Sequence, residues 1–201
     1  MVIPGVYYRK SNNDSWTEIV SNTATGIAIS AGEKVQLRGF TTPTETDSNK
    51  SYTNYWRFDF SNKVKLSGNV MSLANFADVC TSYCFDRIFS DNSTILQAPR
   101  LPALKLAKCC YREMFAGCTG LVEAPELPAA ELAKDCYSGM FKDCTNLNKV
   151  KVNFTEWDST DNNTWDWLKN TAANGTFTKP AALPEVFGEH NIPQNWQVVN
   201  I

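Results

Sequence analysis

The feature that most constrains this chain of 201 residues is an internal repeat. The stretch from Pro99 to Leu121 recurs from Pro125 to Leu147. Cys110, Tyr111, Met114, Phe115, Cys118 and Leu121 meet Cys136, Tyr137, Met140, Phe141, Cys144 and Leu147 at a constant offset of 26. A worn copy precedes them, because Cys84, Phe85, Ile88, Phe89, Ser93, Ile95 and Ala98 stand 26 residues ahead of Cys110, Tyr111, Met114, Phe115, Thr119, Leu121 and Ala124. A unit this short cannot bury its apolar side alone, so successive copies have to stack and share one continuous core.

Spacing within the unit suggests how it folds. Leu132, Cys136, Met140 and Cys144 are four apart, as are Ala133, Tyr137 and Phe141. Two adjacent apolar stripes at that spacing predict one buried face of a short helix, with Pro128 suited to its first turn. Leu147 to Val152 and Leu121 to Ala124 read as short strands, the second ended by Pro125. Each unit is therefore expected to be a strand, a turn and a helix. A period of 20–29 residues with leucine in the strand belongs to the leucine-rich-repeat class of solenoid.

The phrase Cys-Tyr-x-x-Met-Phe-x-x-Cys-Thr-x-Leu-x-x-Ala-Pro-x-Leu-Pro-Ala, at Cys110 to Ala129, resembles the BspA-like leucine-rich repeats. These are common in surface proteins of gut Bacteroidetes and in phages that infect them. The resemblance covers residues 84–152 and extends more loosely to Ser67–Leu73, to Gly175–Pro180 and to Ile192–Val199. It implies a β-rich solenoid used for adhesion or recognition, without catalysis or cofactor. Two departures stand out. Secreted members carry a signal peptide, whereas this sequence opens Met1-Val-Ile-Pro4-Gly5, and only two copies here are intact.

The flanks read as caps for such a stack, whose open ends would otherwise expose apolar surface and strand edges. Candidate strands are Trp16–Val20, Thr25–Ser30, Lys34–Phe40, Trp56–Phe60 and Lys63–Leu66, with a polar loop over Thr41–Asn54. At the far end, Trp165, Trp167 and Leu168 suggest a helix, followed by Phe177 and a strand over Trp196–Val199. The expected fold is thus a β-rich α+β chain. It has an N-terminal β cap or small β domain at 1–70, a leucine-rich-repeat array of period 26 at 71–152, and a C-terminal cap at 153–201.

Charge and cysteine content narrow the chemistry. Nineteen Lys and Arg against 21 Asp and Glu, with no basic run, argue against a nucleic-acid partner. No apolar stretch reaches the ~18–20 residues that cross a bilayer. Seven cysteines are an odd number and all lie between residues 80 and 144, which reads as buried reduced thiols; a metal pair at Cys80 and Cys84 is the competing reading. His190 is the sole histidine, sits in a polar loop and has no evident nucleophile beside it, so no enzyme activity, cofactor or metal is expected.

Candidate binding residues come from two places. Gln97, Glu123 and Lys149 lie two positions past the buried strand residue at offsets of 26, which puts them in one row on the outer face; Arg100 and Glu126 form a second pair. Trp157, Trp165 and Trp167 flank an Asp- and Asn-rich loop, read either as a capping core or as a platform on which sugars stack. The functional expectation is a non-enzymatic binding protein. Its leading form is a phage virion surface component, a capsid decoration or fibre that is assembled in the host cytoplasm. Its partners would be other virion proteins and a host-surface protein or glycan. The alternative is the mature fragment of a bacterial cell-surface adhesin.

Overall fold

The computed structural model describes residues 6–19, 26–39, 57–74, 76, 79–157 and 160–201. The repeat forms four stacked tiers, at residues 82–91, 108–117, 134–143 and 160–170, each a run of consecutive turns. Within a tier, every second N–H closes on the carbonyl three residues back, as Cys110 on Ala107 (3.2 Å), Arg112 on Cys109 (3.3 Å) and Met114 on Tyr111 (3.2 Å). The alternate N–H groups leave the tier. Cys109, Tyr111, Glu113, Phe115 and Gly117 donate to Lys134, Cys136, Ser138, Met140 and Lys142 at 2.8–3.1 Å. Every fourth residue is left-handed: Tyr83, Arg87 and Asp91, then Cys109, Glu113 and Gly117, then Asp135, Gly139 and Asp143, then Asn162, Asp166 and Asn170, with φ of 49–73°.

This corrects the expected β-rich α+β solenoid of leucine-rich repeats. Among the described residues there is no α-helix, only a 3-10 helix at Val70–Ala74, and the strands fall into three separate sheets instead of one continuous ladder. The reason lies in where the N–H groups point. An α-helix satisfies its interior donors within itself, with all residues right-handed. Here half the donors join one tier to the next, and the left-handed residue resets the chain every four positions. Residues four apart still share a side, so Cys136, Met140 and Cys144 are buried together beside Tyr137 and Phe141, all at most 1% exposed.

The helix expected at Trp165 to Leu168 is the fourth tier. Asp135, Tyr137, Gly139, Phe141 and Asp143 donate to Asp161, Asn163, Trp165, Trp167 and Lys169. The hydrogen bonds there span one residue more than between the earlier tiers, and the left-handed pairs Asp135/Asn162 and Asp143/Asn170 are correspondingly 27 apart instead of 26.

Two ladders of aromatic rings run through the stack. Phe85, Tyr111 and Tyr137 are stacked at 5.7 and 6.1 Å between centroids, and Trp167 continues the column at 6.4 Å. Phe89, Phe115 and Phe141 are stacked at 5.5 and 5.7 Å, with Phe58 against the first end at 5.9 Å. Each such pair adds roughly 0.5–1.5 kcal/mol beyond the area it buries. The thiols of Cys118 and Cys144 donate to the carbonyls of Phe89 and Phe115 in the preceding tier, at 3.1 and 3.0 Å. All seven cysteines are free, and six are buried.

At the start of the stack, Asn92 stands where Cys118 and Cys144 stand later. It is 4% exposed, donates to Phe58 O (2.6 Å) and Phe89 O (3.0 Å), and accepts from Phe60 N–H (3.0 Å). An amide in place of a thiol thus fixes segment 57–60 over the first tier.

The sheets lie around this stack. Strands β1 (Val6–Arg9), β2 (Thr17–Glu18) and β3 (Gln36–Gly39) are antiparallel in the order β2-β1-β3. Gly39 is required there, since a Cβ would lie 1.9 Å from Leu73 O on the 3-10 helix. β4 (Val64–Lys65) and β5 (Ile95–Gln97) pair in parallel, and so do β6 (Lys149–Lys151), β7 (Gly175–Lys179) and β8 (Trp196–Asn200) in that order. The expected strands over residues 26–30 and 57–60 do not form, and Leu121–Ala124 is reduced to a single bridge between Glu123 and Lys149. The expected loop Thr41–Asn54 lies outside the described residues. Among the described residues, no helix is long and apolar enough to cross a membrane.

Candidate functional site

The residues singled out from the sequence divide into three groups. Gln97, Glu123 and Lys149 are all exposed, and Glu123 and Lys149 are bridge partners on neighbouring chain segments. Gln97 pairs with Lys65 of β4, and no bridge joins it to Glu123 among the described residues. Arg100 is exposed and bridged to Asn69, and Glu126 is exposed and ion-paired with Lys151 at 2.8 Å. Of the tryptophans, Trp167 is fully buried, and Trp157 is held in the end cap. The Trp157 indole donates to Pro184 O (2.8 Å) and packs against Phe154, Trp167 and Phe177. Only Trp165 is open, at 50% exposure.

Trp165 is at the corner of the fourth tier. The His190 imidazole stacks on its indole with centroids 3.9 Å apart, and His190 Nδ1 accepts the Asp166 backbone N–H at 3.1 Å. That bond leaves the imidazole proton on Nε2. Around them Lys169 binds the Asp166 carboxylate (3.2 Å) and Glu189. Hydrogen bonding from Lys169 pulls the Glu189 carboxyl below its ordinary range, and the hydrogen bonds to Glu189 and Asp166 push the Lys169 ammonium up. Oxygens of Asp166 and Glu189 and a nitrogen of His190 converge within 4.8 Å, a set of the kind that ligates cations. The Lys169 ammonium already stands on both carboxylates and offsets one of their two charges.

Crossed ion pairs also join the first two tiers. Arg112 forks onto Asp86 (3.2 and 2.6 Å), and Arg87 forks onto Glu113 (2.8 and 2.7 Å). The Asp86 side chain is fully buried, and that burial raises its carboxyl above the ordinary range despite Arg112 beside it. The sequence held no clear signal for these pairs, since arginine and carboxylate exchange columns between copies. Burial also pushes the thiols of Cys84, Cys118 and Cys136 up to about 12, which makes them packing groups rather than nucleophiles.

Comparison of the chain with models of protein families, with curated proteins and with solved structures returned no match.

Proposed function

We propose that this protein is a non-catalytic binding protein of a surface, in the first place a component of a phage virion. Its rigid stack of tiers would hold a polar outer side toward a host-surface protein or glycan. The sequence resemblance at Cys110 to Ala129 supports the setting. The observation that carries the reading is the thiol core: seven free cysteines, six of them buried, packed between tiers as hydrogen-bonded small side chains. Unpaired thiols in such number suit a protein that assembles in a reducing compartment.

Mass spectrometry of purified particles, with light scattering of the isolated protein, tests the proposal. A fixed, stoichiometric copy number in virions is the expected result. A monomer absent from particles and recovered from a bacterial envelope would replace it with the cell-surface adhesin.

A further inference from the structure

We propose that Met71, Cys80 and Cys110 form a buried site for one Cu(I) ion, which ties the 3-10 helix to the stack of tiers. This goes beyond the surface-binding reading and does not rest on it. The sequence offers Cys80 and Cys84, four residues apart, as a metal pair. The structure surrounds Cys80 with other sulfurs. Its Sγ lies 3.9 Å from Met71 Sδ, is hydrogen-bonded by the Cys110 thiol, and donates to the Tyr111 hydroxyl at 3.2 Å. Met71, Cys80, Cys110 and Tyr111 are all at most 2% exposed.

The three sulfurs come from three segments, and each backbone is pinned. Met71 N–H donates to Asn69 Oδ1 (2.8 Å), and Met71 O accepts from Phe76 N–H (2.7 Å). Cys80 N–H donates to Lys105 O (3.3 Å) and Cys110 N–H to Ala107 O (3.2 Å). The thiols of Cys118 and Cys144, by contrast, spend their protons on backbone carbonyls. A bond from sulfur to a small closed-shell metal ion is about 2.3 Å, so sulfurs that share one ion in a trigonal plane stand about 4 Å apart. The spacing of Cys80 and Met71 fits that edge.

The donor set selects the ion. Thiolate and thioether are soft ligands and favour Cu(I). Structural zinc takes four ligands from Cys, His and carboxylates, and the one such cluster of three or more among the described residues is at Asp166, Glu189 and His190. Binding releases the protons of Cys80 and Cys110, and the single charge of the ion leaves the site with one negative charge. The Tyr111 hydroxyl, within hydrogen-bond distance of Cys80 Sγ, can turn its proton onto that thiolate.

The test is an anaerobic titration of the fully reduced, full-length chain with Cu(I) in competition with bathocuproine disulfonate, followed by X-ray absorption at the copper edge. The metal is added to the folded protein and, separately, during refolding. One tightly held equivalent is expected, with sulfur scatterers at about 2.3 Å and a raised Tm. Met71→Leu conserves volume, so the fold should persist while affinity falls by at least the tenfold or so that loss of even an outer-shell partner costs. Cys80→Ser should abolish binding, and Cys118→Ser, an equally buried thiol outside the site, should leave it unchanged. No uptake by either route, unchanged binding in Met71→Leu or Cys80→Ser, or an equal loss in Cys118→Ser would each overturn the site. Zn2+ held as tightly as Cu(I) would overturn the choice of ion.

Discussion

Replacing Arg112 with methionine isolates one effect. The Asp86 side chain has no solvent exposure, and its two oxygens face the Arg112 guanidinium at 3.2 and 2.6 Å. Removing the partner leaves a carboxylate with nowhere to be solvated, which costs about 3–5 kcal/mol. For a chain of this length that is roughly 6–20 °C in Tm. The neighbouring pair is an internal control of the same chemistry. Arg87 and Glu113 side chains are 31% and 35% exposed, so water screens them, and Arg87→Met should cost about 1 kcal/mol or less.

The loss at Arg112 must depend on pH, and its sign follows from burial. Burial holds the Asp86 carboxyl above its ordinary range in the folded state, so the native protein keeps that proton more tightly than the unfolded chain does. The group therefore favours folding at low pH, and the benefit is lost as pH rises through the native value. Without Arg112 that window moves to higher pH. Urea melts of Arg112→Met should show the full deficit at neutral pH and a smaller one in acid, and adding Asp86→Asn should recover most of it. A deficit below about 1 kcal/mol, or one independent of pH, would refute the placement of Asp86 as a buried charge.

Five further outcomes are expected. Phe115→Ala removes a fully buried ring stacked on Phe89 and Phe141 and should cost about 3–5 kcal/mol in denaturant melts. Asp143 is left-handed at φ 61°, so Asp143→Val should cost about 1–2 kcal/mol while Asp143→Gly is nearly neutral; equal costs would return the segment to an α-helix. Asn163 continues the column of Cys84, Cys110 and Cys136, yet its buried Oδ1 has no partner, so Asn163→Cys should raise stability by about 1 kcal/mol. With the thiols of Cys84, Cys118 and Cys136 pushed up to about 12, iodoacetamide at pH 8 should label the folded protein slowly and all seven cysteines once it is unfolded. Tm should not change with reductant.

What was legible in the sequence was the pattern of side chains, and what was not was the direction of the backbone donors. The offset of 26 identified the residues that stack, and Tyr111 on Tyr137 or Phe115 on Phe141 follow from it directly. The four-residue stripes identified the buried side as well. They did not distinguish an α-helix from a four-residue turn, because both bury residues four apart, and the difference appears only when a second tier accepts the spare N–H groups. A signal was present all the same. An α-helical face mixes spacings of three and four, whereas these stripes are strictly four, and Asp135, Gly139, Asp143, Asn162, Asp166 and Asn170 supply at the same interval the residue types that tolerate positive φ. The fourth tier was hidden by its extra residue and by Asn163 in place of a cysteine. Of the candidate site, Trp165 was legible as an aromatic, but its separation from the buried Trp157 and Trp167 needed the position of His190.

The two ends of the stack explain why the exposed chemistry gathers where it does. A tier satisfies only half of its donors internally, so the first and last tiers carry an obligation the inner ones do not. At the start the obligation falls on carbonyls and interior volume, and it is met by Asn92 and the rings of segment 57–60, which are apolar and bury themselves. At the far end it falls on N–H groups, and an acceptor is needed. His190 supplies one through Nδ1. An acceptor side chain cannot also bury an apolar neighbour as deeply as another tier would, so the indole beside it stays half open. Protonating the imidazole would convert that acceptor into a donor and place it beside the Asp166 carboxylate, 3.3 Å from Nδ1, at the expense of the Asp166 N–H bond. His190→Ala should therefore loosen the fourth tier first, with amide exchange at Asp166 rising while exchange at Tyr111 and Phe115 stays slow. If exchange rose equally in all tiers, the stack would be a single cooperative unit and the imidazole would not be its end cap.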